Sequence, residues 1–127
     1  MEDKTDYSIK VTAQSFFISD QSAPEQDRYV FAYVITIRND GTIPAKLLSR
    51  HWIIMDANGE LEEVQGEGVV GEKPYLRPGE GFQYTSGAVL KTSVGSMRGS
   101  YQMLADDGVE FEAAIPAFTL AVPRTLH

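Results

Sequence analysis

At 127 residues with 43% apolar side chains, the chain carries enough apolar content for one buried core and too much for a disordered polymer. A formal net charge of −7 sets its summed field against a phosphate backbone and excludes nucleic acid as a partner, and the absence of cysteine excludes disulfides, thiol nucleophiles and cysteine-ligated zinc or iron–sulfur sites. No apolar run approaches the ~20 residues of a membrane-spanning helix, and the polar, acidic start Met1-Glu2-Asp3-Lys4-Thr5-Asp6 lacks a signal-peptide pattern, so a cytoplasmic protein with no membrane span and one domain over residues 1–127 is expected.

Alternation of apolar and polar residues recurs along the whole chain, and no window holds a helical period. Residues 8–18 place Ile9, Val11 and Ala13 on one face and Lys10, Thr12 and Gln14 on the other, which predicts a first strand. The polar stretch 19–27, with Pro24, reads as a loop. Residues 28–39 then set Tyr29, Phe31, Tyr33, Ile35 and Ile37 against Val30, Ala32 and Val34; apolar on both faces, this strand belongs in the middle of a sheet. Asn39-Asp40-Gly41 turns the chain. In 45–56, Leu48, Arg50, Trp52 and Ile54 share one face and Leu47, Ser49, His51, Ile53 and Met55 the other; the Trp52 face, with the largest apolar area, is expected to be buried.

Asp56-Ala57-Asn58-Gly59 predicts a hairpin into 60–65, whose carboxylates suit an exposed sheet edge. A glycine-rich loop follows, then the tight turn Leu76-Arg77-Pro78-Gly79-Glu80, then a strand over 82–90 and a turn at 91–95. The strand 96–105 is joined through Asp106-Asp107-Gly108 to a final one, in which Phe111, Ala113 and Ile115 are odd-numbered but Phe118, Leu120 and Val122 even-numbered. The apolar face therefore flips across Pro116, which predicts a bulge or a change of sheet there. About seven strands at this spacing predict an all-β fold, a two-sheet antiparallel β-sandwich of immunoglobulin-like or fibronectin type III-like type. Trp52 on a middle strand, and Tyr101 two residues before Met103 in the manner of a tyrosine corner, favour that sandwich over a barrel.

Gly66-Glu67-Gly68-Val69-Val70-Gly71 spells the dinucleotide-binding fingerprint, but Glu72-Lys73-Pro74 and Pro78-Gly79 stand where the fingerprint requires a helix. What remains is an anion loop: backbone N–H groups of Gly66, Gly68 and Gly71, with Lys73 and Arg77 as counter-charges for a pyrophosphate or nucleotide. No catalytic set is legible. The histidines are His51, flanked by Arg50 and Trp52, and the terminal His127, and the adjacent Glu62 and Glu63 project to opposite faces of their strand. No histidine and carboxylate spacing marks a metal site, and Asp106-Asp107-Gly108, the one stretch able to hold magnesium weakly, is above all a turn former. No cofactor is expected.

The run Val64-Gln65-Gly66-Glu67-Gly68-Val69-Val70-Gly71, followed by Leu76-Arg77-Pro78-Gly79-Glu80 and Gln83-Tyr84-Thr85-Ser86-Gly87, resembles the ApaG family. Arg28-Tyr29-Val30-Phe31-Ala32-Tyr33, Arg50-His51-Trp52, Gly99-Ser100-Tyr101-Gln102-Met103 and the stretch 116–123 extend the resemblance over nearly the whole chain. The resemblance implies a fibronectin type III-like sandwich, a link to cobalt resistance and magnesium efflux, and genetic company with diadenosine tetraphosphate hydrolysis; similar domains fused to F-box proteins are taken as interaction modules. A chain with no span does not itself carry ions across a bilayer. The expectation is therefore a non-catalytic accessory domain that binds a protein partner, with pyrophosphate or dinucleotide binding at Gly66–Gly71 as the alternative and a homodimer through a sheet edge as a possible assembly.

Overall fold

The computed structural model describes residues 6–123. Its strands are β1 (Ile9–Phe17), β2 (Tyr29–Asn39), β3 (Ala45–Asp56), β4 (Leu61–Glu67), β5 (Tyr75–Leu76), β6 (Gly81–Leu90), β7 (Val94–Ala105) and β8 (Glu110–Ala121), with two short 3-10 turns, Ser19–Gln21 and Pro24–Gln26, between β1 and β2. One sheet has the order β1-β2-β6; the other has the order β4-β3-β7-β8, and the two-residue β5 pairs with β3 beyond the end of β4. All pairings are antiparallel. This is the all-β, fibronectin type III-like sandwich expected, with the apolar β2 at the centre of its sheet.

Between the sheets, β2 contributes Phe31, Tyr33, Ile35 and Ile37, and β3 contributes Leu47, Trp52 and Ile54. Trp52 lies edge-on to Tyr33, Phe118 and Tyr101, at centroid distances of 5.5, 6.0 and 6.5 Å, the arrangement in which a ring's positive edge meets its neighbour's negative face. Asn39, at the end of β2, is buried yet fully partnered: its Nδ2 donates to the carbonyls of Ile43 and Leu76, and its Oδ1 accepts from Gly41 N–H.

Two irregularities set which side chains point inward. Arg98 of β7 faces both Pro116 and Ala117, because the register passes from Gly99↔Ile115 to Met97↔Phe118; this is the bulge that parity predicts, and it keeps Phe118 and Leu120 inside. A second shift, between Leu47 and Ser49, changes the expected facing of β3: Leu47, not Leu48, joins Trp52 and Ile54 in the core. The tyrosine-corner reading is also corrected. Tyr101 is buried, but its hydroxyl meets the Tyr84 hydroxyl of the opposite sheet at 2.5 Å instead of upstream backbone. Burial pushes the Tyr84 hydroxyl up to about 12 and drives that of Tyr101 further in the same direction.

The two flanks of the sandwich differ. On one, β1 and β8 run against each other and Ser15 Oγ donates to the carbonyl of Thr119 at 2.8 Å. On the other, the edge strands β4 and β6 stand apart.

Candidate functional site

The predicted site residues fall on this open flank or near it. The Asp56–Gly59 turn fixes the register of the β3–β4 hairpin, so that Arg50 stands opposite both Gly66 and Tyr101 and points with Trp52 into the space between the sheets. Its Nη1 donates to the carbonyls of Glu67 and Gly68, at 3.0 and 2.9 Å. The guanidinium lies over Gly66: a Cβ there would come within 2.8 Å of both Cζ and Nη2. The first glycine of the fingerprint thus makes room for an arginine of this chain.

The other two glycines belong to a small hairpin. Val69 and Glu72 exchange backbone hydrogen bonds of 2.7 and 2.9 Å across Val70 and Gly71, which have φ of 43° and 82°; left-handed values at both central residues mark a type I′ turn. Gly68 has φ of 64°, and a Cβ on it would fall 2.4 Å from the Glu72 carbonyl oxygen. Its N–H donates to the Leu48 carbonyl, while the side chain of Val69, 1% exposed, enters the core. The loop is anchored to the sandwich as a plug, and the N–H groups of Gly68, Val69 and Glu72 already have backbone acceptors.

The predicted counter-charges separate. Lys73 lies against the loop with its ammonium 2.8 Å from Glu67 Oε1, which holds the Glu67 carboxyl below the ordinary value. Arg77 belongs instead to the Pro78-Gly79 turn, where its N–H donates to Glu80 Oε1. The neighbouring Leu76 pairs with Ala45, whereas the glycine loop joins β3 at Leu48, roughly 10 Å of strand away. The structure brings together Gly66, Gly68, Gly71 and Lys73, and leaves Arg77 apart.

Beyond the loop, β4 is the edge of its sheet. The bonds Gly68 N–H to Leu48 O and Asp56 N–H to Glu60 O place the even-numbered residues of β4 in the hydrogen-bonded pairs with β3. By the alternation of an antiparallel ladder, the backbone groups of Leu61, Glu63 and Gln65 face away, toward the open side. On the outer face of this sheet His51 Nε2 lies 2.6 Å from Glu63 Oε2, and Ser49 Oγ donates to Gln102 Oε1 at 2.8 Å; Ser49, His51 and Gln102 line a shallow depression of about 510 Å³ with Gln65 and Glu67. Asp106 and Asp107 accept hydrogen bonds from the hydroxyls of Tyr75 and Tyr7, at 2.6 and 2.5 Å. His127 lies outside the described residues. Among the described residues no three His, Asp or Glu side chains gather as a metal site requires, and no helix is long and apolar enough to cross a membrane.

Sequence reasoning missed Arg50 as the clamp and Glu63 as the partner of His51. The first carried a signal: a cation on the same strand face as Trp52, two residues away, has to find acceptors at the mouth of the core. The second is a diagonal cross-strand contact, visible only once the hairpin register is known.

The sequence profile of the ApaG domain matches residues 19–105. Protein ApaG of Dechloromonas aromatica is 59% identical over all 127 residues and the whole of that protein, and Protein ApaG of Methylococcus capsulatus 60% identical over 121 residues, 95% of this chain and 96% of its own length. The crystal structure of a Bordetella pertussis protein described as ApaA superposes with a TM-score of 0.93 at 46% identity, covering 97% of this chain and 100% of that one. The names of these relatives specify no reaction. On fold, profile and full-length identity together, this chain belongs to the ApaG family.

Proposed function

We propose that the protein is a non-catalytic interaction domain, acting in the cytoplasm, whose β4 edge takes up an extended segment of a protein partner by strand addition. The observation that carries this reading is the free edge: at Leu61, Glu63 and Gln65 a row of backbone donors and acceptors faces outward, on a strand held at one end by the Asp56–Gly59 turn and at the other by the Arg50 clamp. A strand presented this way offers main-chain hydrogen bonds for affinity and alternate side-chain positions for specificity. The link to cobalt resistance and magnesium efflux that the resemblance implies then runs through the partner, which is the component that handles the ion.

Proline at Gln65 tests this directly, because it removes an outward N–H while leaving the ladder to β3 intact. Affinity capture with the parent protein should recover a defined partner, and Gln65→Pro should lose it while melting within a few degrees of the parent. Equal recovery by both proteins refutes strand addition at β4.

A second reading, pyrophosphate at the glycine loop, is supported by the N–H groups of Val70 and Gly71, which make no backbone hydrogen bond among the described residues. It is opposed by Glu67 and Glu72 in the same loop and by the pairing of Lys73. Titration with pyrophosphate, ATP and diadenosine tetraphosphate decides it: unchanged amide shifts from Gly66 to Lys73 at millimolar ligand end this reading.

A further inference from the structure

Where β4 and β6 part, the open flank forms a groove of about 580 Å³, lined by Ile54, Asp56, Glu60, Leu61 and Glu62 from the β3–β4 hairpin and by Val89, Leu90 and Lys91 from β6. That is within the range of about 300–1,000 Å³ in which proteins hold small ligands or inserted side chains. Its floor is apolar and belongs to the core, since Ile54 and Leu90 are both buried. Its rim is mixed: Leu61 and Val89 are 62% and 48% exposed, and Glu60, Glu62 and Lys91 stand beside them. The other lining residues, Asp56, Glu60, Glu62 and Lys91, are charged, so it is the apolar floor that gains by covering.

The charges at the mouth select what covers it. Of the acidic residues on and beside β4, Glu63 meets His51 and Glu67 meets Lys73. Asp56 uses its Oδ1 to accept the N–H groups of Asn58 and Glu60. Glu60, Glu62 and Lys91 make no ion pair among the described residues and all line the groove, so the two carboxylates outnumber the one ammonium there and leave its mouth acidic. A second copy of the chain, with its net charge of −7, would bring like charge to this rim.

We infer that this groove is the specificity pocket of the docking edge, and that it takes an aliphatic side chain flanked by lysine or arginine on an extended partner segment. The inference rests on the strand-addition reading and supplies its partner chemistry. A segment paired to β4 turns alternate side chains toward the space between the sheets. Its inward residue covers Ile54 and Leu90, and basic residues two positions to either side, on the same face, reach Glu60 and Glu62. The expected partner is a basic segment carrying one buried Leu, Ile or Val.

The probe is an end-blocked heptapeptide, Thr-Lys-Thr-Leu-Thr-Lys-Thr, with both lysines on the face of the Leu, titrated into the full chain and followed by backbone amide NMR, beside two controls in which the central Leu becomes Ser or every Lys becomes Glu. The parent peptide should shift the amides of Ile54, Leu61, Glu62, Val89 and Leu90, and both controls should bind at least tenfold more weakly. Leu61→Asp and the paired change Glu60→Lys with Glu62→Lys, at exposed positions that leave the fold intact, should each lower affinity at least tenfold; Val89→Asp provides an independent variant on the opposite wall. Unchanged affinity in these variants, equal binding of the Glu control, or no shift at millimolar peptide overturns the inference. Hydrogen exchange separates it from the parent reading. Protection of the Glu63 and Gln65 amides with unaffected groove variants keeps strand addition and sinks the pocket; groove shifts with no such protection keep the pocket and sink strand addition.

Discussion

Replacing Gly66 with alanine tests whether the fingerprint glycine exists for a phosphate or for Arg50. The added methyl would sit 2.8–2.9 Å from Cζ, Nη1 and Nη2 of Arg50, closer than real contacts allow, so the guanidinium has to move away. Its hydrogen bonds to Glu67 O and Gly68 O, 3.0 and 2.9 Å long, go with it. Charged donors contribute about 1.5–3 kcal/mol per bond when sheltered; one of these two is exposed and the other part-buried, which discounts the pair to about 2 kcal/mol in total. Alanine in a strand recovers about 0.5–1 kcal/mol over glycine. The net loss is then about 1–1.5 kcal/mol, a fall in Tm of roughly 4–6 °C for a domain of this size. The assay is a double-mutant cycle in urea. In an Arg50→Ala background the same Gly66→Ala change should be neutral or slightly stabilising, giving a coupling of about 2 kcal/mol between the two positions. Equal losses in both backgrounds, or no loss in the parent, would refute the assignment of Gly66 to Arg50.

The hydroxyl pair between the sheets makes two further predictions. Tyr101→Phe strands the buried Tyr84 hydroxyl and should cost about 1–3 kcal/mol in chemical denaturation, whereas adding Tyr84→Phe should cost little more and so show non-additivity. Both hydroxyls have folded-state pKa values above the ordinary 10, so the neutral pair stabilises the fold fully below pH 10 and that contribution fades as pH rises through about 12; stability measured against pH should fall across this window, and the Tyr84→Phe, Tyr101→Phe double variant should fall less steeply. Asn39→Ala leaves two carbonyls and one N–H without their side-chain partner and should lower stability by about 3 kcal/mol, read as a shift in the urea midpoint. Gly68→Ala should be worse than Gly71→Ala: the second meets only the left-handed penalty of about 1–2 kcal/mol, whereas the first adds a clash with the Glu72 carbonyl, so reversal of that order in thermal melts contradicts the loop geometry.

Most of the fold was legible because side-chain parity is a two-state code and β2 and β8 write it plainly. In β8 the change from odd to even across Pro116 had one economical explanation, a bulge, and one is there. The bulge near Leu48 carries the same kind of signal, Ala45 and Leu47 odd against Trp52 and Ile54 even, but an apolar Leu48 continues the even series backwards and conceals the break. The site was harder to read. Three glycines at fingerprint spacing meet three unrelated needs, room for a guanidinium at Gly66, a close carbonyl at Gly68 and a turn at Gly71, and the spacing does not distinguish these from a shared task. Lys73 and Arg77 are four residues apart in sequence, yet they part because β5 re-pairs with β3 between the loop and the turn.

The acidic edge has two consequences that act together. An exposed strand is a template for any other strand, and charged side chains are one means of suppressing unwanted pairing. If two copies met through β4, Glu62, Glu63 and Glu67 would face their own kind across a new ladder, at the distance where like charges destabilise a sheet. A homodimer by that route is therefore opposed, and the β6 edge, which stands on the same open flank, remains for it. A basic partner meets the opposite condition, since the carboxylates that repel a second copy attract lysine and arginine. Selectivity of this kind comes from the repulsive element as much as the attractive one. It also predicts a salt response: partner capture through β4 should weaken as ionic strength rises, and capture that is indifferent to salt between 50 mM and 500 mM would remove the electrostatic part of the argument while leaving the backbone edge in place.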